Sequence, residues 1–210
     1  MLAYYAARMP TVEINYTFRA MPKPAMFERW AAVTPESFRF ALKAPERITH
    51  RARLVDAGQA IDRFVAVAGC LGRRLGPVLF QLPPDFKTDI ECLKDFLAGL
   101  DGRLRAAFEF RNRSWFSDAA LQTLSDFGAA LCIAESEKLV TPIEKTAPFV
   151  YVRLRRTSYD ADALETWASR LAELASDGSE VYVYFKHELR APELAAKLAR
   201  LVHRGDAPAG

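Results

Sequence analysis

Seven short apolar segments recur along the chain, and most are separated by a stretch with helical spacing. They are Thr11–Asn15, Phe38–Lys43, Val78–Gln81, Ala106–Arg111, Ala129–Glu135, Phe149–Arg153 and Val181–Lys186. Strands that alternate with helices imply a parallel sheet with the helices outside it. In sheets and barrels of this kind, ligands sit at the carboxyl ends of the strands. Most of the segments end in polar or charged residues at the same relative place. The pattern therefore predicts that Glu13, Asn15, Lys43, Gln81, Glu109, Arg111, Arg153 and Lys186 share one rim. A polar site is expected there before any motif is considered.

The 210 residues suit one domain, expected over residues 1–204, with a disordered tail at 205–210. Hydrophobic residues make up 50% of the chain, enough for a sizeable core, and the 26% of charged residues is ordinary. A formal charge of +3 reads as a normal solvated surface that permits a nucleic-acid partner without implying one. Cys70, Cys92 and Cys132 form no CxxC pair and read as buried or half-buried thiols in a reducing compartment. No run approaches the roughly 18 apolar residues of a membrane helix, and the opening residues lack the apolar core of a signal peptide. A cytoplasmic protein without membrane contact is the expectation.

Between the strands, helices are expected over Ala25–Val33, Gln59–Leu75, Ile90–Leu100, Asp118–Phe127, Asp160–Ala175 and Leu189–Val202. In the first of them Met26, Phe27 and Trp30 fall on one side. Gly76-Pro77 is expected to end the second, and Ser117 or Asp118 to cap the fourth. Ala44–His50 reads as a loop anchored by Pro45, and Arg111–Phe116 as a loop that holds Trp115.

The residues with chemical potential fall in four places. Glu13 and Asn15 stand two apart on one strand, so they share a face opposite Val12 and Ile14. A polar inner face either lines a site or forms a satisfied internal network. In FEFRNRSWF, Glu109 and Arg111 face away from Phe108 and Phe110. Arg111 and Arg113 offer forked donors for carboxylate or phosphate. Trp115 and Phe116 either stack on a ligand or plug the rim, and plugging is the favoured reading. In KAPERITH, Lys43 serves as a phosphate contact, a Schiff-base amine or a salt-bridge partner, with His50 nearby. YVRLRR and FKHE add Arg153, Arg155, Arg156, Lys186 and His187. The three histidines, His50, His187 and His203, lack metal-binding spacing, so no metal is expected. A divalent site assembled from Glu13, Glu109, Glu135, His187 and Glu188 is the alternative. Glycine-rich phosphate loops, GxSxG elbows and GxGxxG turns are absent, so no cofactor is indicated.

TVEINYTF, FRFALKAPERITH, GPVLFQLPPDF, FEFRNRSWF and FVYVRLRR, in this order, resemble the YecE-like family, domain of unknown function seventy-two. The resemblance covers nearly the whole chain. It implies a TIM-like β/α barrel of about seven parallel strands with outer helices. It implies no particular reaction, although a likeness in shape to apurinic endonucleases has suggested phosphate or nucleic-acid chemistry for the family. Carried over residue by residue, its recurring polar positions are Glu13, Asn15, Lys43, His50, Gln81, Glu109, Arg111, Trp115 and Arg153. Two departures stand out. Lys186-His187-Glu188 stands where many relatives have an asparagine pair. The Gly-Thr-Ser-Gly-Trp-like first strand of relatives has no counterpart, so an N-terminally truncated barrel is expected, with open edges that invite self-association.

Three functional readings result. The first is an enzyme on a phosphate-containing or nucleic-acid substrate. Glu109 or Glu13 would be its catalytic carboxylate. Asn15, Lys43, His50, Gln81, Arg111, Trp115, Arg153, Lys186 and His187 would bind the substrate. The second is a non-catalytic binding protein for nucleic acid or a small anionic metabolite. The third is a truncated barrel without activity, whose charged residues neutralise one another.

Overall fold

The structure is a computed structural model that describes residues 1–186 and 190–205. Of the tail expected at 205–210, residues 206–210 lie outside the described residues, as do the candidates His187 and Glu188, while Gly205 ends the last helix. The chain forms two compact units, Met1–Ala129 and Ala130–Gly210.

The first unit opens with α1 (Leu2–Ala6) and contains a four-stranded parallel sheet, β1 (Thr11–Ile14), β2 (Arg39–Lys43), β3 (Leu75–Gln81) and β4 (Ala106–Glu109). The strands pair in chain order. Between them run α2 (Tyr16–Arg19), α3 (Pro24–Ala32), α4 (Gly58–Ala68) and α5 (Ile90–Leu100), and α6 (Asp118–Asp126) follows β4. Strand alternation sorts the faces. Phe80 and Phe108 are register partners whose rings stack at 5.3 Å, and Phe96 of α5 packs edge-on against Phe80 at 5.3 Å. That is the helix-covered face. Gln81 and Glu109, the next residues along, point the other way. α5 forms because Leu93, Phe96, Leu97 and Leu100 repeat at helical spacing and are all buried, while the Asp89 carboxylate caps the start by accepting from the Cys92 N–H at 3.0 Å. Ser117 caps α6 in the same way.

The second unit holds the parallel strands β5 (Ala130–Glu135), β6 (Phe149–Leu154) and β7 (Glu180–Phe185), with α7 (Ala161–Leu174) and α8 (Ala191–Gly205). β6 pairs on both sides and is buried throughout, and β5 is a near-continuous apolar run, as a strand covered on both faces requires. Leu164, Trp167 and Leu171 of α7 close the core with Leu194 and Leu198 of α8.

Several expectations are corrected. β3 begins at Leu75, not Val78, so Gly76-Pro77 lies inside the strand. Phe40 pairs with Leu75 and Leu42 with Val78, so Gly76 and Pro77 together oppose Ala41. Such a bulge tolerates a proline, which has no ladder N–H to donate. The helix expected to Leu75 stops at Ala68, and a tight turn over Gly69–Arg74 follows, with Gly72 at φ 54°. Ala44–His50 is not a plain loop, since Arg47–Arg51 winds into a π-turn that buries Ile48 and Thr49. Tyr16–Arg19 forms an unexpected short helix. Met26 is 38% exposed and does not join Phe27 in the core. All four residues of β1 are half-buried, so the expected division between an apolar and a polar face is not sharp there.

Candidate functional site

Lys43, Gln81 and Glu109 are the last residues of β2, β3 and β4. Parallel pairing therefore sets their side chains side by side. The Lys43 ammonium donates to Gln81 Oε1 at 2.8 Å, and Gln81 Nε2 donates to Glu109 Oε1 at 2.7 Å. A lysine can only donate, so it fixes which end of the Gln81 amide faces Glu109. Arg111, just beyond β4, brings its Nε to 3.4 Å from the same Glu109 oxygen. The Glu109 side chain is 2% exposed and that of Arg111 34%. A buried carboxylate is thus compensated by an amide donor and a cation, as its burial demands. Arg111 was expected on the strand and lies instead in the loop, which lets its guanidinium turn back toward Glu109.

A second cluster stands on β1, α2 and the π-turn. Asn15 was expected as a strand residue, but it lies beyond β1 with a helical backbone, at the start of α2. Its amide still donates to Glu13 Oε1 at 2.9 Å. The Thr17 hydroxyl donates to the Lys43 carbonyl at 2.6 Å and ties α2 to the end of β2. Phe18 carries the Lys43 ammonium 3.7 Å from its ring centre and meets the His50 ring edge-on at 4.9 Å. His50 Nδ1 lies 2.9 Å from the Thr49 hydroxyl. Burial lowers the His50 pKa below its ordinary 6.5. Lys43, Arg111 and Arg19 add to that effect, and Glu46 opposes it.

Trp115 is fully buried. It stacks on Phe110 at 4.6 Å with the planes 3° apart, and its Nε1–H donates to the Phe86 carbonyl at 2.8 Å. The indole plugs the rim and has no open face for a ligand, which corrects its place among substrate-binding residues. With Asn112, whose amide donates to the Pro84 carbonyl at 2.8 Å, it joins the loops after β3 and β4. Arg53 and Asp85 pair nearby, and the Arg53 guanidinium holds the Asp85 carboxyl below the usual range.

In the second unit Arg153 lies buried on β6, in register with Ala134 and Tyr184. Lys186, the expected end of its strand, is exposed one residue past β7, and its N–H donates to the Leu154 carbonyl at 2.9 Å. Glu135 accepts from the Trp167 Nε1–H at 3.1 Å. Among the described residues no three His, Cys, Asp or Glu come together as metal ligands. Phe18, Thr17 and Thr49 escaped the reading of the sequence. A single aromatic in a four-residue helix has no periodicity to announce it.

Parallel strands in chain order, intervening helices and polar residues at the strand ends define a TIM-like β/α-barrel protein with seven strands. The chain belongs to the family described as "Protein of unknown function DUF72", which it matches over residues 1–209. It is similar to the UPF0759 protein YecE of Escherichia coli K12, 33% identical over 117 residues, which are 55% of this chain and 43% of YecE. The UPF0759 protein YunF of Bacillus subtilis 168 is 35% identical over 137 residues, 59% of this chain and 47% of YunF. The chain thus spans less than half the length of these two relatives. Two solved DUF72 proteins share its fold. One, from Enterococcus faecalis V583, has a TM-score of 0.80 at 20% identity and covers 97% of this chain and 92% of its own. The other, from Thermotoga maritima MSB8, has a TM-score of 0.79 at 25% identity and covers 97% and 88%. No helix among the described residues is long and apolar enough to cross a membrane.

Proposed function

We propose that the carboxyl ends of β2, β3 and β4 form the site of an enzyme that acts on a phosphate-containing substrate. Lys43 and Arg111 are its anion contacts, Glu109 is its catalytic carboxylate, and Glu13 is a second carboxylate oriented by Asn15. The observation that carries this reading is the continuous line from Lys43 through Gln81 to Glu109 and Arg111. It sets two cations at fixed positions on either side of a buried carboxylate. Charges held in place before the substrate arrives stabilise a developing oxyanion without reorganising. Trp115 supports the site by joining two of its loops.

A second reading, binding without turnover, is favoured by one detail. The same Glu109 oxygen takes both Gln81 and Arg111, which makes it an anchor for the cationic pair. A thermal-melt panel of phosphate, sugar phosphates, divalent metals and short oligonucleotides tests both readings. A ligand at a hundred times its dissociation constant adds about 2.7 kcal/mol of stability. The proposal expects a shift with a phosphate ester that Arg111→Ala removes, and turnover that Glu109→Gln abolishes while affinity stays within a few-fold. Affinity that falls steeply with salt, without turnover, supports the binding module instead. No selective shift with any member of the panel sinks both.

A further inference from the structure

We infer that His50 is the proton-coupled contact of this anion site: when an oxyanion docks beside Lys43 and Arg111, the ring takes up one proton from solvent and its Nε2–H donates to the bound oxygen. This rests on the anion site proposed above and adds to it a group that senses the charge of the ligand.

The ring is held at one nitrogen only. We assign the Thr49 hydroxyl as donor to the Pro45 carbonyl at 3.4 Å, and on that assignment it accepts from His50 Nδ1–H at 2.9 Å. The neutral ring therefore carries its lone pair on Nε2, which has no hydrogen-bond partner among the described residues. Phe18 fixes the ring edge-on and holds the Lys43 ammonium over the same aromatic, so His50 and Lys43 are neighbours across one side chain. The backbone around it is unusual. His50 sits on the π-turn Arg47–Arg51, and Arg53, Leu54 and Asp56 follow with φ of 50°, 73° and 48°. Left-handed non-glycine residues are strained, and such strain and π-turns cluster where a side chain must be aimed.

The surrounding charges make the ring responsive. Lys43 at the end of β2, Arg19 of α2 and Arg111 after β4 oppose a positive imidazole, and burial opposes it first. Glu46 of its own turn and Asp85 of the loop after β3 favour it. The balance leaves His50 neutral at neutral pH. An oxyanion placed among the three cations reverses that balance, because its negative charge offsets them and Nε2–H gains an acceptor. Linkage is reciprocal: an anion that raises the proton affinity of His50 binds more tightly as pH falls, about tenfold for each unit by which the ring's pKa rises.

The test is an NMR titration of the full chain labelled with 15N-histidine, with and without inorganic sulfate, whose charge is constant across the range. The His50 signal is identified by its loss in His50→Gln. Without sulfate the ring is expected as the Nδ1–H tautomer with a midpoint below 6.5. Sulfate should raise the midpoint by about one unit and bind about tenfold more tightly in acid than in base. His50→Gln, which does not titrate, should bind sulfate at all pH values only about as tightly as the parent does in base, so that the pH dependence is flat. If sulfate binds and Arg111→Ala weakens it, yet the His50 midpoint does not move, the inference falls and the anion site stands. An Nε2–H tautomer in the free protein also overturns it. If sulfate does not bind, or binds indifferently to Lys43→Ala and Arg111→Ala, both the inference and the site fall. Should His50→Gln not fold, the wild-type titration decides alone.

Discussion

Replacing Glu109 by glutamine changes one buried charge and almost no volume, so its cost can be worked from the contacts. Removing one partner of a fully buried ion pair costs about 3–5 kcal/mol, because the other charge is stranded. Arg111 is 34% exposed, so water recovers much of its solvation, and the loss on that side is nearer ~1–2 kcal/mol by the same reasoning. The hydrogen bond from Gln81 at 2.7 Å survives, because the new amide oxygen still accepts. It loses its charge assistance, worth about 1 kcal/mol. The expected destabilisation is therefore ~2–3 kcal/mol, or a fall in Tm of about 4–12 °C for a chain of this size. Urea unfolding followed by tryptophan fluorescence should show a lower midpoint at an unchanged m-value. A second variant separates charge from packing. Glu109→Leu with Arg111→Leu should cost less than Glu109→Leu alone, since the pair leaves together. A midpoint for Glu109→Gln equal to or above the parent's would refute the view that this carboxylate is held as an anion by its neighbours.

Trp115→Phe should cost about 1–3 kcal/mol in the same urea assay, because it leaves the Phe86 carbonyl, now bonded at 2.8 Å, without its donor. Gly76→Ala should cost about 1–3 kcal/mol, read from a circular-dichroism melt, because a Cβ there would stand 3.2 Å from the Phe40 carbonyl oxygen in the bulge. For His50 the folded pKa lies below the unfolded 6.5, so the unfolded chain binds more protons between the two values. Its contribution is present at neutral pH and is lost as pH falls through the folded value, and a stability–pH profile of His50→Gln should lack that slope. Asp177 is held down to about 2, first by Lys145 and then by Ser179. Its contribution is present above the ordinary 3.8 and fades as pH falls toward 2, and Lys145→Met should move its carboxyl midpoint back toward 3.8, read by 13C NMR.

Strand positions were legible because a parallel strand is short, apolar and bounded, and the three residues that close β2, β3 and β4 were readable as strand ends. Their joining into one line was not, since it depends on the register that sets Gln81 opposite Glu109. The start of β3 was misread because glycine and proline normally punctuate, and only the pairing with β2 reveals a bulge that accepts them. The π-turn around His50 was hidden for a related reason: Ile48 and Thr49 are buried without any periodicity of their own to announce it. Plugging by Trp115 was the favoured reading of its loop, yet its partners, the Phe86 carbonyl and the Phe110 ring, come together only once the loops after β3 and β4 meet.

The register that pairs Gln81 with Glu109 also has a consequence for folding. Sliding β4 by one residue against β3 would turn every side chain to the other face. Glu109 would then be driven into the layer of Phe80 and Phe96, where a carboxylate has no partner, and Phe108 would be turned out of it. A chain with leucine at both polar positions would lose that penalty, since leucine is tolerated on either side. Such a chain could be as stable as the parent once folded and still yield less native protein, because the error is no longer rejected.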